Sequence, residues 1–91
     1  MHSAQVKKNQ EYKLRITKLL DLTRSGFTPE QIREVESFLS HGEVKLALEF
    51  TVDFMVENDN PISRAAYELA AELSREMDSD RGIDYIRRLI K

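Results

Sequence analysis

Three carboxylates recur at every fourth position in the middle of this sequence. Glu49, Asp53 and Glu57 lie in the stretch EFTVDFMVE, which contains no lysine or arginine. Residues four apart are neighbours on a helix, so these side chains would form one negative ridge, and each like-charge pair weakens the helix by about 0.2–0.5 kcal/mol. We interpret the ridge as a surface that binds cationic groups of a partner, with a solvated helix face as the alternative.

A second set of carboxylates repeats this spacing nearer the end of the chain. Glu68, Glu72 and Glu76 also follow one another every four residues. Here Arg64 and Arg75 lie within helical reach of Glu68 and Glu72, so this set fits a compensated, solvated face. The first set is therefore the stronger candidate for binding a partner.

Aromatic residues accompany both sets. Phe50 and Phe54 lie between the carboxylates of the ridge, and Tyr67 precedes the second set. The two phenylalanines that border the ridge make a merely solvated face a poorer fit there. Both phenylalanines equally fit the core of a central helix that is apolar nearly all round. The predicted partner-binding residues are Glu49, Phe50, Asp53, Glu57, Asp59, Tyr67, Glu68 and Glu72.

Catalytic and metal-binding patterns are absent from the sequence. His41 is the only histidine away from the N-terminus, and it stands beside Gly42 at a predicted helix end, where it would interact favourably with the helix dipole. There is no HExxH motif, no glycine-rich phosphate loop and no nucleophile elbow. The Glu-x-x-His pairs of di-iron bundles are also missing. We therefore expect a protein that is not an enzyme and that binds no metal or cofactor.

The composition is that of an ordinary single-domain protein. Of the 91 residues, 41% are hydrophobic and 33% are charged, which suits a modest single core. No apolar run approaches the roughly 18 residues of a membrane span, and the polar N-terminus lacks the apolar centre of a secretory signal. The lack of cysteine excludes disulfides and thiolate metal sites and fits a cytoplasmic protein.

Charge is distributed unevenly along the chain. Residues 1–27 carry six Lys or Arg against two Asp or Glu, residues 28–84 carry five against fourteen, and residues 85–91 add three Arg or Lys. An acidic body between basic ends argues against a nucleic-acid surface in the middle and favours a basic partner there.

The basic first segment leaves an alternative open. Its cations could contact phosphates, which would make the chain a nucleic-acid-binding or regulatory protein. They could instead be a solvated face, or complement the acidic body of the same molecule. The cations in question are Lys7, Lys8, Lys13, Arg15 and Lys18.

Helix boundaries are well marked. A first helix over about residues 5–24 stops at Ser25-Gly26, and Thr28-Pro29-Glu30-Gln31 reads as a capping box with proline in the first turn. Further breaks follow at His41-Gly42, at residues 58–61 and at residues 78–80 (Asp78, Ser79 and Asp80), and Ser63 is a candidate N-cap.

These signals predict an all-α fold, a compact bundle of four to five short antiparallel helices within one domain of 91 residues. The basic first helix would occupy residues 1–27 and the acidic helical body residues 28–91. Helical spacing in the first helix links Leu14, Leu19 and Leu22 with Ile16 and Leu20. In the third helix, the residues expected to face the core are Val44, Ala47, Leu48, Thr51, Val52 and Met55.

Part of the sequence resembles a known family. The run GEVKLALE (residues 42–49), followed by NPIS (60–63) and YEL (67–69), resembles the MafI-type immunity proteins, and similar examples occur among the CdiI immunity proteins of contact-dependent growth inhibition. The resemblance covers about residues 27–77. It implies a small helical bacterial protein that binds a cognate toxin domain, often a nuclease such as an RNase, in the cytoplasm and blocks it.

The resemblance also suggests a role for the ridge. Glu49, Asp53 and Glu57 would pair with lysines and arginines of the toxin's substrate cleft, in place of nucleic-acid phosphates. Phe50 or Tyr67 would provide a buried aromatic anchor. The protein would act as a monomer or weak dimer, without membrane contact. A structural module that self-associates through Phe27, Phe50 or Phe54 is the remaining alternative.

Overall fold

Two of the helices begin directly after a residue whose side chain caps the first turn. Thr28 Oγ1 accepts a hydrogen bond from the Gln31 backbone N–H at 3.1 Å, and the Thr28 N–H donates to Gln31 Oε1 at 3.0 Å. This is the predicted capping box, and it satisfies N–H groups that the first helical turn leaves without partners. Ser63 Oγ likewise accepts the Ala66 N–H at 3.1 Å. Both predicted helix starts are confirmed.

A computed structural model describes residues 2–79 and 81–91, with side chains from residue 7 onward. In this part of the chain the α-helices are α1 (His2–Thr23), α2 (Pro29–Ser40), α3 (Val44–Asn58), α4 (Arg64–Glu76) and α5 (Ile83–Arg87).

The all-α prediction is confirmed. A single turn of 3₁₀ helix, Arg24–Gly26, follows α1. Within the described residues there is no strand, and the only strand-like feature is an isolated bridge between Ile62 and Ile90. Asp80, which the sequence places in the last helix break, lies outside the described residues. No helix in the described ranges is long and apolar enough to cross a membrane.

Helix α3 is the central element, because it contacts each of the other four helices. All six residues predicted to face the core are buried, and Phe54 is buried with them. A helix covered on several sides buries more than one stripe of its surface. Only a narrow strip of α3 therefore remains for charged side chains.

Helix α1 buries only part of its leucine pattern. Ile16, Leu19 and Leu20 are fully buried, whereas Leu14 is 72% exposed and Leu22 is 39% exposed. Leu14 and Leu22 are eight residues apart and so share one face, which lies away from the buried one. Helical spacing grouped these five apolar residues of α1 together. Which of them are covered is decided by the positions of α3 and α4.

Two alanines, together with Leu73, let α4 pack closely against its neighbours. Ala66, Ala70 and Leu73 are fully buried, and α4 contacts α1, α3 and α5. The end of the chain returns to the start of α4, where the Ile62 N–H donates to the Leu89 carbonyl at 2.9 Å and the Lys91 N–H donates to the Ile62 carbonyl at 3.1 Å.

Alanine substitutions at two leucines of α3 provide a matched test of this arrangement. Leu48→Ala should lower the free energy of unfolding by about 2–5 kcal/mol, because Leu48 is fully buried and truncation leaves a cavity. Leu46→Ala should cost under about 1 kcal/mol, since Leu46 is 40% exposed. Urea unfolding followed by circular dichroism measures both, and equal losses would contradict the described orientation of α3.

Candidate partner-binding surface

The α3 ridge lies under the connection between α4 and α5. Asp53 Oδ2 accepts a hydrogen bond from the Arg81 guanidinium at 2.7 Å, and Glu49 Oε2 accepts one from Ser79 Oγ at 3.4 Å. The sequence indicated no cation near the ridge, but the fold supplies one from 28 residues further along the chain. Glu57 is exposed and has no ion pair among the described residues.

A glycine permits this connection to lie close to α3. Gly82 has φ +75°, and a Cβ at this position would lie 2.9 Å from Val52 Cγ1 and 3.2 Å from Val56 Cγ2. Valine side chains are stiff, so they cannot readily move aside. Gly82 also precedes the first turn of α5. The loop therefore approaches the ridge because residue 82 has no side chain and tolerates a positive φ.

Apolar side chains border the carboxylates on the outer face of α3. The spacing of Leu46, Phe50, Asp53 and Glu57 (i, i+4, i+7, i+11) places them on one side of the helix. We call these four residues the α3 face. Leu46 is 40% exposed, and Phe50 and Asp53 are partly buried. The α3 face thus combines an exposed aliphatic group, an aromatic ring and two carboxylates.

The Phe50 ring joins this surface to the core. Its centroid lies 4.8 Å from that of Phe38 and 5.9 Å from that of Phe54. Phe54 is buried and meets Phe27 edge-to-face at 5.9 Å. Aromatic pairs at such distances stabilise their arrangement beyond simple burial. Phe50 is therefore held in a fixed orientation with part of its ring accessible, whereas Phe54 belongs to the core.

The second carboxylate set has a different cation from the one predicted. Arg15 of α1 contacts Glu72 at 2.7 Å and both carboxylate oxygens of Glu76 at 2.7 and 2.9 Å. No ion pair joins Arg64 or Arg75 to Glu68 or Glu72 among the described residues, so the expected local compensation is wrong. A planar guanidinium approaching from another helix can bind two carboxylates at once. For Arg15, the idea that basic α1 residues complement the acidic body is confirmed.

The remaining predicted residues contact α5 or lie exposed. Asp59 adopts a left-handed conformation at φ 54° and accepts a hydrogen bond from Tyr85 Oη at 2.8 Å, which raises the pKa of Tyr85. Tyr67 Oη accepts one from Arg87 Nε at 3.1 Å, and the guanidinium carbon lies 5.8 Å from the Tyr67 ring centroid. Glu68 is exposed.

His41 ends α2, and its Nδ1 lies 2.7 Å from the Ser37 carbonyl oxygen, so the predicted helix-end position is confirmed. Among the described residues, no group of three or more His, Cys, Asp or Glu side chains could hold a metal ion.

Comparisons of the chain with protein-family models, with curated proteins and with solved structures find no match.

The structure adds three residues that sequence reasoning did not assign to the site. Leu46 could have been found, because it lies one turn before Phe50 on the same helical face. Arg81 and Ser79 carry no such signal, since they reach the ridge only through the path of the α4–α5 connection. The predicted residues of α3 are thus brought together, while Tyr67, Glu68 and Glu72 lie on α4.

A pair of glycine substitutions tests how closely that connection approaches α3. Gly42→Ala should cost about 1–2 kcal/mol, since φ is +74° but no atom lies within 4 Å. Gly82→Ala has the same backbone cost and adds a clash with Val52, which contributes about 1–3 kcal/mol more. Thermal unfolding of both variants measures the difference, and equal losses would mean that the loop lies further from α3.

The Arg15 contact predicts a pH dependence. Its hydrogen bond holds the pKa of Glu76 below the ordinary value for a glutamate. Because the folded-state pKa is depressed, the associated stability is present above the unfolded pKa of about 4.3 and is lost as pH falls through the folded value.

Arg15→Gln should therefore be less stable than the wild type at pH 7 and lose that difference in acid. NMR titration should show the Glu76 pKa rising in the variant. Arg33→Gln is the control, because Arg33 makes only an exposed 4.0 Å contact with Glu30 and should follow the wild type at every pH. A pH-independent deficit in Arg15→Gln would contradict the assignment.

Proposed function

We propose that this protein is a non-enzymatic inhibitor that binds a basic toxin domain, in the manner of bacterial immunity proteins. The α3 face is the observation that carries this proposal. It presents Leu46 and part of the Phe50 ring beside the carboxylates of Asp53 and Glu57. Interfaces commonly combine a partly buried apolar anchor with a polar rim, and carboxylates beside the anchor select a partner that carries lysine or arginine.

The spacing of the carboxylates supports a nuclease as the toxin. Asp53 and Glu57 are four residues apart on a helix, which corresponds to about 6 Å along its axis. A cleft that binds a nucleic-acid backbone holds cations at comparable intervals, so carboxylates can occupy it in place of phosphates. An RNase domain of a contact-dependent toxin, met in the cytoplasm, is the proposed partner, and the family resemblance of residues 27–77 favours the same reading.

In the folded protein some carboxylates are already paired with arginines and others are not. This difference refines the proposed binding site. Glu72 and Glu76 are already held by Arg15, and Asp53 shares the exposed Arg81. Glu57 has no ion-pair partner among the described residues. Glu57 therefore offers a partner its full charge, while a partner at Asp53 would have to share the carboxylate with Arg81.

One observation favours the alternative of nucleic-acid binding. Lys7, Lys13 and Lys18 of α1 are exposed, and they form no ion pair in the described part of the chain. These lysines are available to phosphates in a way that Arg15 is not. If α1 is the functional surface, the wild type binds RNA and Lys13→Glu with Lys18→Glu weakens that binding.

The test uses the basic toxin domain that this proposal expects to be encoded next to the protein's gene. Glu57→Lys should weaken toxin binding by at least about tenfold, since a like charge facing a basic cleft costs several kcal/mol. Calorimetry at two salt concentrations measures the affinity, and RNase activity of the mixture measures protection. Binding of the wild type should itself weaken as salt increases.

Glu11→Lys provides the matched control. It makes the same charge change at an exposed position of α1, outside the residues predicted to bind a partner, and should leave the affinity nearly unchanged. Equal losses in the two variants would indicate a general effect of net charge rather than a site. Unchanged affinity in Glu57→Lys would exclude the α3 face, and absence of wild-type binding would exclude the proposed partner.

A further inference from the structure

A cleft of about 510 Å³ lies between α4 and α5, on surfaces that the α3 face does not use. Its walls include two arginines, two aspartates and hydroxyl groups, which come from α4, α5 and the connection between them. Ala71 and Ile83 add an apolar wall. The polar lining residues that matter here are Tyr67, Ser74, Arg75, Asp78, Asp84 and Arg87.

The hydroxyl of Ser74 is an unexplained feature of this cleft. Ser74 is only 5% exposed, and its Oγ has no hydrogen-bond partner among the described residues. The other buried helical hydroxyls behave differently: Thr23 and Thr51 each donate to the carbonyl four residues earlier, at 2.9 and 2.7 Å. A buried polar group without a partner is destabilising. Ser74 therefore reduces the stability of the protein unless a ligand completes its hydrogen bonding.

The charges of the cleft are balanced but not paired with one another. No ion pair joins Arg75 or Arg87 to Asp78 or Asp84 among the described residues. Tyr67 Oη accepts a hydrogen bond from Arg87 Nε at 3.1 Å, which positions the guanidinium and leaves its terminal nitrogens to bind another acceptor. A guanidinium in a set orientation favours a carboxylate, which it can bind through two parallel hydrogen bonds.

We propose that this cleft binds a small zwitterion with one carboxylate and one ammonium group, the chemistry of a free α-amino acid. The carboxylate contacts Arg75 and Arg87, and it accepts a hydrogen bond from the Ser74 hydroxyl once that side chain, whose oxygen is fully covered in the free protein, rotates toward the cleft. The ammonium group contacts Asp78 or Asp84. The ligand's side chain lies against the apolar wall of the cleft.

Ligands with a single kind of charge fit this lining less well. A phosphate dianion would meet two carboxylates, and a simple amine would meet two guanidinium groups, and like charges at short range repel. A zwitterion is the small ligand that finds an opposite charge for each of its ends. The site is independent of the α3 face, so it stands or fails separately from toxin binding.

NMR titration of the 91-residue chain tests the site. Amide signals of residues around the cleft should shift with L-alanine or L-leucine and saturate. Sodium acetate, ethylammonium and inorganic phosphate at the same concentrations should bind more weakly. A stronger response to phosphate or to acetate would overturn the zwitterion assignment, and no response to any of these probes would overturn the site.

Two variants with a control identify the groups responsible. Arg75→Gln should weaken amino-acid binding by about tenfold, as expected for the loss of a charged hydrogen bond. Arg64→Gln changes an exposed arginine of the same helix outside the cleft and should leave binding unchanged.

Ser74→Ala should have two opposite effects. The free protein should melt at a higher temperature, because a buried unpartnered hydroxyl is removed, while amino-acid binding should weaken. A lower melting temperature would show that the hydroxyl is satisfied within the protein. Undiminished binding in Ser74→Ala would remove Ser74 from the site.

Discussion

The burial of α3 among the other four helices is the constraint on which the rest of the structure depends. Seven of its residues are buried, so its charged side chains are confined to one outward strip. That confinement brings Asp53 and Glu57 next to Leu46 and Phe50. The α3 face is therefore a consequence of packing: a helix covered on most sides concentrates its remaining polar and apolar groups on a small exposed area.

Intramolecular ion pairs determine how much of the acidic charge remains for a partner. Arg15 binds two glutamates of α4, and Arg81 binds Asp53 of α3. Partly exposed pairs of this kind contribute modestly to stability, and they also change which carboxylates are accessible. The chain's separation into basic ends and an acidic body is thus partly cancelled within the folded molecule. On the α3 face, Asp53 has an ion pair and Glu57 has none among the described residues.

The α4–α5 connection contributes to both candidate surfaces. Ser79 and Arg81 contact α3, and Ser79 also lines the cleft together with Asp78. Its path depends on Gly82, whose missing side chain allows backbone to approach Val52 closely. The two proposed sites therefore lie near one short connection, where side chains from separate helices converge and the regular helical hydrogen bonding is interrupted.

The sequence by itself determined the features that depend on neighbouring residues. The caps at Thr28 and Ser63, the six core positions of α3 and the all-α class follow from local hydrogen bonding and helical spacing. The carboxylate ridge could be placed on one face of a helix in the same way.

Tertiary structure alone decided the exposure of Leu14, the partners of Asp53 and Glu76 and the unpartnered hydroxyl of Ser74. The Arg15 contacts span 57 and 61 residues, and the Arg81 contact spans 28. Such pairs depend on how whole helices are placed against one another, and no spacing rule within a single helix contains that information.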